Sequence, residues 1–413
     1  MLASWCRLDE GELIQSACRR IGFSDFGEWP FREGLRRLLD ACADEAALSA
    51  FGSIGTRWDI ARLLSNLLRF RYEEQRQPAI LEERIERPLF ITGLPRSGTT
   101  FLHQLLALDG ANHAPRIWNT IHPYPELRSY RKQDRRRQRV ARQLRIFGIL
   151  SPDFRRMHPV EAGSPQECSE ITAHVFASLR FDTTYTVPSY REWLDGAGHD
   201  HAYRFHKRFL QHLQYQEPGG SRWVLKCPDH IFALEAVRRV YPDARFVFVH
   251  RDPLRVLPSV ARLTEVLRQP FTRHIDRLAL GRQEFERWGQ GAELLVRASD
   301  DEPFEEPIFH VRYRELTANP LATVRSLYRH FGLPLEPDHA ARMAQFVVAM
   351  PDGGYAVNNY RFDTYGIDLE AAHARFATYM DRFGLVREPD PPKQRHSAGP
   401  VAHANRPHPA VRS

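Results

Sequence analysis

Apolar residues recur along this chain in two rhythms. Short apolar runs at Leu89–Thr92, Trp223–Leu225, Phe246–Val249 and Ile308–Val311 have the length of buried strands. Between and after them the spacing lengthens to that of helices. Phe101, Leu102, Leu105, Leu106 and Leu108 follow the first run. Ile231, Leu234, Val237 and Val240 predict a helix over 231–240, and others are predicted from Pro253 to about Arg297, over Leu321–Phe331 and over Leu369–Phe383. Apolar strands alternating with helices predict a parallel sheet covered on both faces. Ahead of the first strand, three more stripes predict helices: Leu13, Ile14, Ala17, Cys18 and Ile21; then Leu35, Leu38, Leu39 and Cys42; then Ile60, Leu63, Leu64, Leu67 and Leu68, with Thr56 as the N-cap.

The junction between the first strand and its helix carries chemistry. It reads Gly93-Leu94-Pro95-Arg96-Ser97-Gly98-Thr99-Thr100. Strand, glycine-containing turn and helix in that order aim backbone N–H groups and a helix N-terminus at one spot, which favours an anion. Ser97, Thr99 and Thr100 add hydroxyls, and Arg96 adds a permanent charge on a planar donor fork. The Gly-Lys-Ser/Thr ending of nucleotide triphosphatases is absent, so ATP or GTP is not the expected ligand. A right-handed crossover would put the later strand ends on the same rim, with Lys226 and His230 after one and Arg251 after the next, and Ser259 on the following helix. The expected fold class is α/β: a three-layer, P-loop-like fold with a central parallel sheet flanked by helices, plus an N-terminal helical region. The expected division is residues 1–84 as helices packed on the core, 85–386 as the catalytic domain and 387–413 as a disordered tail.

Composition narrows the class. The 413 residues are 42% hydrophobic and 26% charged, as in a soluble globular protein, and the net charge of +7 suits either an anionic ligand or a generally basic surface. Five cysteines, far apart and without a CxxC pair, point to a reducing compartment and no metal site. No signal-like start and no membrane-spanning run is visible, so a cytoplasmic location is expected. Between Arg128 and Arg145 nine basic residues face one acid, Asp134. Such a run is either a solvated helix face or a surface for an acidic acceptor, membrane headgroups or nucleic acid. The scarcity of aromatic residues within it argues against nucleic acid. Residues 151–216 are rich in aromatics and prolines, where an acceptor pocket is expected. His396, His403 and His408 are too widely spaced for a metal site.

With these pieces placed, the chain resembles the sulfotransferases that use 3′-phosphoadenosine 5′-phosphosulfate, and within them the large bacterial branch. Pro95-Arg96-Ser97-Gly98-Thr99-Thr100 resembles their 5′-phosphosulfate loop. Val249-His250-Arg251-Asp252-Pro253 with Ser259 resembles their 3′-phosphate element, and Val311–Leu316 their late Tyr-Glu-Asp-Leu segment. The resemblance implies that Arg96, Ser97, Gly98, Thr99 and Thr100 hold the phosphosulfate and Arg251 and Ser259 the 3′-phosphate. It implies that Phe101 offers a flat face to adenine and that Tyr313 approaches the adenine or the 3′-phosphate. The implied reaction is in-line sulfuryl transfer to a hydroxyl or amine of a small molecule, lipid or carbohydrate. Arg96 and Lys226 would stabilise charge without a metal. For the base, Asn119 after Trp118 cannot serve, which leaves His230 first, with Glu167 and His158 behind it. A P-loop kinase and a catalytically silent sulfonucleotide-binding module are the alternative readings. A homodimer contact through the N-terminal helices is left open.

Overall fold

The computed structural model describes residues 8–125, 134–157, 160–220, 222–300, 304–350 and 362–389. Five strands, β1 (Leu89–Gly93), β2 (Asn112–His113), β3 (Arg222–Lys226), β4 (Arg245–His250) and β5 (Phe309–Arg312), form one parallel sheet in the order β2-β3-β1-β4-β5. β1, β3 and β4 are buried along their whole length. Their side chains alternate between two cores. Leu89, Ile91, Val224, Val247 and Val249 face the helices Thr99–Leu106 and Pro320–His330. Phe90, Trp223, Leu225, Phe246 and Phe248 face the other way. Burial on both faces is why these strands carry no polar alternation.

The second core also takes in the N-terminal helices Glu10–Ile21, Phe31–Asp44 and Ala50–Arg76 together with the aromatic stretch after residue 168. Phe70 of the third helix lies edge-on to Phe205, with ring centroids 5.7 Å apart, and 4.9 Å from Phe209. Most of these aromatics are therefore core; Phe176, Phe181, Tyr190, Phe205 and Phe209 are fully buried.

The structure corrects several sequence expectations. The third N-terminal helix starts at Ala50, capped by Ser49 accepting from the Gly52 N–H at 2.9 Å; Thr56 is a buried residue inside it. The helix expected over 231–240 begins as a tight 3₁₀ turn at Pro228–Ala233 and becomes α-helical only from Leu234. Proline without an N–H suits that first turn. β5 itself ends at Arg312, and Tyr313 opens the helix Tyr313–Ala318.

Candidate active site

The C-terminal ends of β3, β1 and β4 lie side by side, and the loop Gly93–Thr100 leaves from the middle one. Such a crevice is where open α/β sheets take ligands. Gly93 pairs with Val249 and has φ +149°; a Cβ there would stand 2.1 Å from the Val249 carbonyl oxygen. Only glycine lets the chain leave β1 at that point. Gly93→Ala is expected to cost about 1–3 kcal/mol through overpacking, read as a lowered urea midpoint. An unchanged midpoint would contradict this account of the turn.

The loop next passes through Arg96, whose φ of +63° is left-handed for a residue with a side chain. That conformation costs about 1–2 kcal/mol and is held from two sides. The Arg96 carbonyl accepts from Arg251 Nη1 at 2.7 Å, and its Nε donates to Ser259 Oγ at 3.2 Å. Gly98, at φ +94°, then starts the helix Thr99–Leu106 without a side-chain cap. Its first N–H groups are left for water or a ligand. A Cβ on Gly98 would approach Tyr313 Cδ2 to 2.9 Å, so the glycine also admits that ring. The Ser97 hydroxyl is fully buried and finds no hydrogen-bond partner among the described residues. A buried hydroxyl left so is a demand for an acceptor.

Two groups of side chains flank the loop. At the β4 end are Arg96, Arg251, Ser259 and Tyr313, with the Arg251 guanidinium 3.9 Å from the centre of the Tyr313 ring. At the β3 end Lys226, only 2% exposed, donates to Thr100 Oγ1 at 3.0 Å and pairs closely with Glu167. Lys226 shares the sheet face of Val224, which aims it at the helix that follows the loop. Glu167 begins the short helix Cys168–Thr172 and is about one third exposed.

His230 does not join them. The 3₁₀ turn tucks its ring beneath the sheet, fully buried, 5.0 Å edge-on to Phe90 and with Nδ1 2.5 Å from the Tyr203 hydroxyl. Burial drives its pKa well below the usual histidine range. Phe101 is likewise a core residue. It is 4% exposed and stacked on Phe346 at 6.3 Å, so its face is taken by packing rather than held open for a base. His158 lies outside the described residues.

Two groups near the site carry little signal in the sequence. Asp229, next to His230, is raised to about 7 by burial first and by the nearby Glu167 charge next. Glu388 lies in the stretch expected to be a disordered tail, yet its carboxylate takes both arms of Arg251, with Nε–Oε1 at 3.0 Å and Nη2–Oε2 at 2.9 Å. The Glu388 N–H donates to Asp252 Oδ2 at 2.7 Å, and Arg314 Nη2 donates to the Arg387 carbonyl at 2.9 Å. These contacts tie residues 387–389 to the elements around Arg251 and Arg314.

Cationic and hydroxyl side chains thus stand at both ends of the loop, without the triphosphatase lysine, and a model of the sulfotransferase family matches residues 88–337, the span that holds nearly all of them. The chain belongs to the sulfotransferase family. It is an enzyme that transfers a sulfuryl group. This sulfotransferase is similar over 91% of its length to the crystal structure of STF9 from Mycobacterium avium, at 30% identity, 97% of that chain and a TM-score of 0.81. It is also similar to STF1 from Mycobacterium tuberculosis, at 30% identity, over 90% of this chain and 99% of that one, with a TM-score of 0.77. Among characterised relatives, the omega-hydroxy-beta-dihydromenaquinone-9 sulfotransferase Stf3 of Mycobacterium bovis is 26% identical over 326 residues, 76% of this chain and 79% of that protein. No described helix is long and apolar enough to cross a membrane, and no described cluster of His, Cys, Asp and Glu could hold a metal ion.

Proposed function

We propose that this sulfotransferase uses 3′-phosphoadenosine 5′-phosphosulfate as donor and passes the sulfuryl group to a hydroxyl of a small amphiphilic acceptor. The observation that carries this reading is the separation of cationic groups to the two ends of one loop. Arg251 and Ser259 lie at one end, Lys226 and Thr100 at the other, and Arg96 on the loop between them bonds to Ser259. A ligand with a 3′-phosphate and a 5′-phosphosulfate needs two anion sites, and the internal Glu388 carboxylate on Arg251 supports the first of them. A guanidinium fork that takes a carboxylate bidentately suits a phosphate equally. Ser97 Oγ and the uncapped helix start suit the second. The hydroxylated menaquinone in Stf3's name favours a lipid acceptor with a hydroxyl group here.

The donor, when bound, supplies the sulfuryl group and a phosphate leaving group. Arg96, the Ser97, Thr99 and Thr100 hydroxyls and the Gly98–Thr100 amides hold the phosphosulfate. Lys226, freed from Glu167, stabilises the charge that grows on the leaving oxygen. Glu167, an acceptor-only carboxylate when ionised, takes the proton of the attacking hydroxyl as the oxygen–sulfur bond forms and the sulfur–phosphate oxygen bond breaks. It replaces His230 in that role because His230 is sealed in the core. Tyr313, under Arg251, supports the 3′-phosphate end.

Calorimetric titration with 3′,5′-adenosine bisphosphate tests the donor site. Arg251→Ala is expected to weaken binding by about 1.5–3 kcal/mol, the size of a charge-assisted pair. Glu388→Ala is expected to strengthen it by about 0.5–1.5 kcal/mol by removing the competing carboxylate. Tight ATP binding without bisphosphate binding would overturn the donor assignment.

A further inference from the structure

The helix Arg136–Leu150 is absorbed by none of this. Its sequence, RRQRVARQLRIFGIL, contains five arginines and no acid. Its inner side is well anchored. Val140 is buried with Ile117 and Ala162, and the Arg136 guanidinium lies 4.7 Å over the Trp118 ring while reaching the Pro123 carbonyl. Its outer side is one stripe, Gln138, Arg142, Arg145 and Ile149, at steps of three and four, continued by Arg135 before the first turn and Ile146 beside the last. Ile146 is 59% exposed and Ile149 is 73% exposed. The stripe is therefore basic at one end and apolar at the other.

Beside the helix opens a cavity of about 600 Å³, whose lining joins Leu144, Phe147, Phe154 and Val160 to Arg145 and Glu161. The wall formed by residues 160–163 continues through Ser164, whose carbonyl accepts from the Ile117 N–H at 3.0 Å, to Gln166 and Glu167.

We propose that the outer face of the helix Arg136–Leu150 seats on an anionic lipid bilayer, placing the cavity mouth where a membrane-resident chain can enter. An interfacial helix needs arginines at headgroup level and apolar side chains that dip below it. Both stand here on one stripe. An RNA or an acidic protein would engage the arginines and gain little from two isoleucines. No aromatic ring lies on the stripe to stack on a base. The charge gradient thus favours the bilayer. This inference stands apart from the donor assignment and does not need it.

The test is co-sedimentation of the full chain with vesicles of phosphatidylcholine alone and of phosphatidylcholine mixed with phosphatidylglycerol. The expected result is binding to the mixed vesicles at least about tenfold stronger than to the neutral ones, falling steeply with salt. Arg142→Gln with Arg145→Gln should lower that partition roughly 25-fold, from about fivefold per arginine near the surface. Ile146→Ser with Ile149→Ser should lower it about tenfold. All four positions are solvent-facing, so unchanged melting curves confirm that both variants are folded. Equal binding to neutral and mixed vesicles, or none, overturns the proposal. So does a result in which the arginine variant loses binding to vesicles and to heparin alike while the isoleucine variant loses neither; that surface would recognise polyanions and not a bilayer.

Discussion

Lys226→Met should lower turnover about 10²–10³-fold, the loss seen when one preorganised donor to a developing negative charge is removed. Bisphosphate affinity should change by less than about fivefold, because the interaction is made mainly in the transition state. Methionine keeps the buried stem and removes only the charge, so the variant leaves no cavity. The Glu167 carboxylate that loses its partner is about one third exposed and can be solvated, which limits the folding cost. Glu167→Gln is the companion. It should lose the acid limb of the pH–rate profile, which a merely structural carboxylate would not control. If Lys226 and Glu167 serve one step, the double variant should be little worse than the poorer single one. A Lys226→Met enzyme with full turnover would remove the lysine from the mechanism.

Much of this site could be seen before folding because its signals are local. A strand, a Pro-Arg-Ser-Gly-Thr-Thr turn and a helix announce an anion cradle, and Arg251 with Ser259 announces a second cation at a neighbouring strand end. What the sequence could not convey is which way an aromatic ring turns once a helix has two faces to fill. Phe101 has the same neighbours in sequence whether it meets a ligand or Phe346, and packing against the helix Pro337–Ala349 decides it. Nor does the sequence show that Pro228 starts a 3₁₀ turn, which carries the His230 imidazole into the core beside Phe90. β2 is two residues long and lies at the sheet edge, too short for any periodicity.

Glu388 illustrates a different limit. A carboxylate in a polar, proline-bearing stretch gives no reason to expect order. Its role arises from Arg251, 137 residues earlier, whose partly buried guanidinium needs a counter-charge. Arg255 Nη2, 3.4 Å from the Glu388 carbonyl and also close to that of Pro389, holds the same segment. Apolar content gives no sign of such contacts, because they are ionic.

Acid should unfold this protein unusually early, because several histidines are buried uncharged. His103, His174 and His206 are each at most 1% exposed, and burial, the leading cause in all three, lowers each pKa to about 3. Their neutral forms are tied in place. His103 Nε2 lies 3.1 Å from the Val224 carbonyl, His174 Nδ1 lies 3.0 Å from the Glu170 carbonyl, and His206 Nδ1 lies 2.7 Å from the Tyr241 hydroxyl. A folded-state pKa below the unfolded one means that the unfolded chain binds more protons once the pH drops under about 6.5. The stability is whole above that pH and is lost as pH falls toward the folded-state values. At pH 5 each histidine forfeits on the order of 1–2 kcal/mol, so three together approach the entire stability of an ordinary domain. Asp229 works in the opposite sense. Its carboxyl is raised to about 7, so its contribution is present at low pH and is lost as pH rises through 7, too small alone to reverse the trend. Urea midpoints should therefore fall steeply from pH 7 to pH 5, and bisphosphate binding should fail over the same interval, since His103 fastens the helix behind the phosphate loop to β3. Midpoints that stay level across that interval would mean the imidazoles are charged, or solvated, in the folded state.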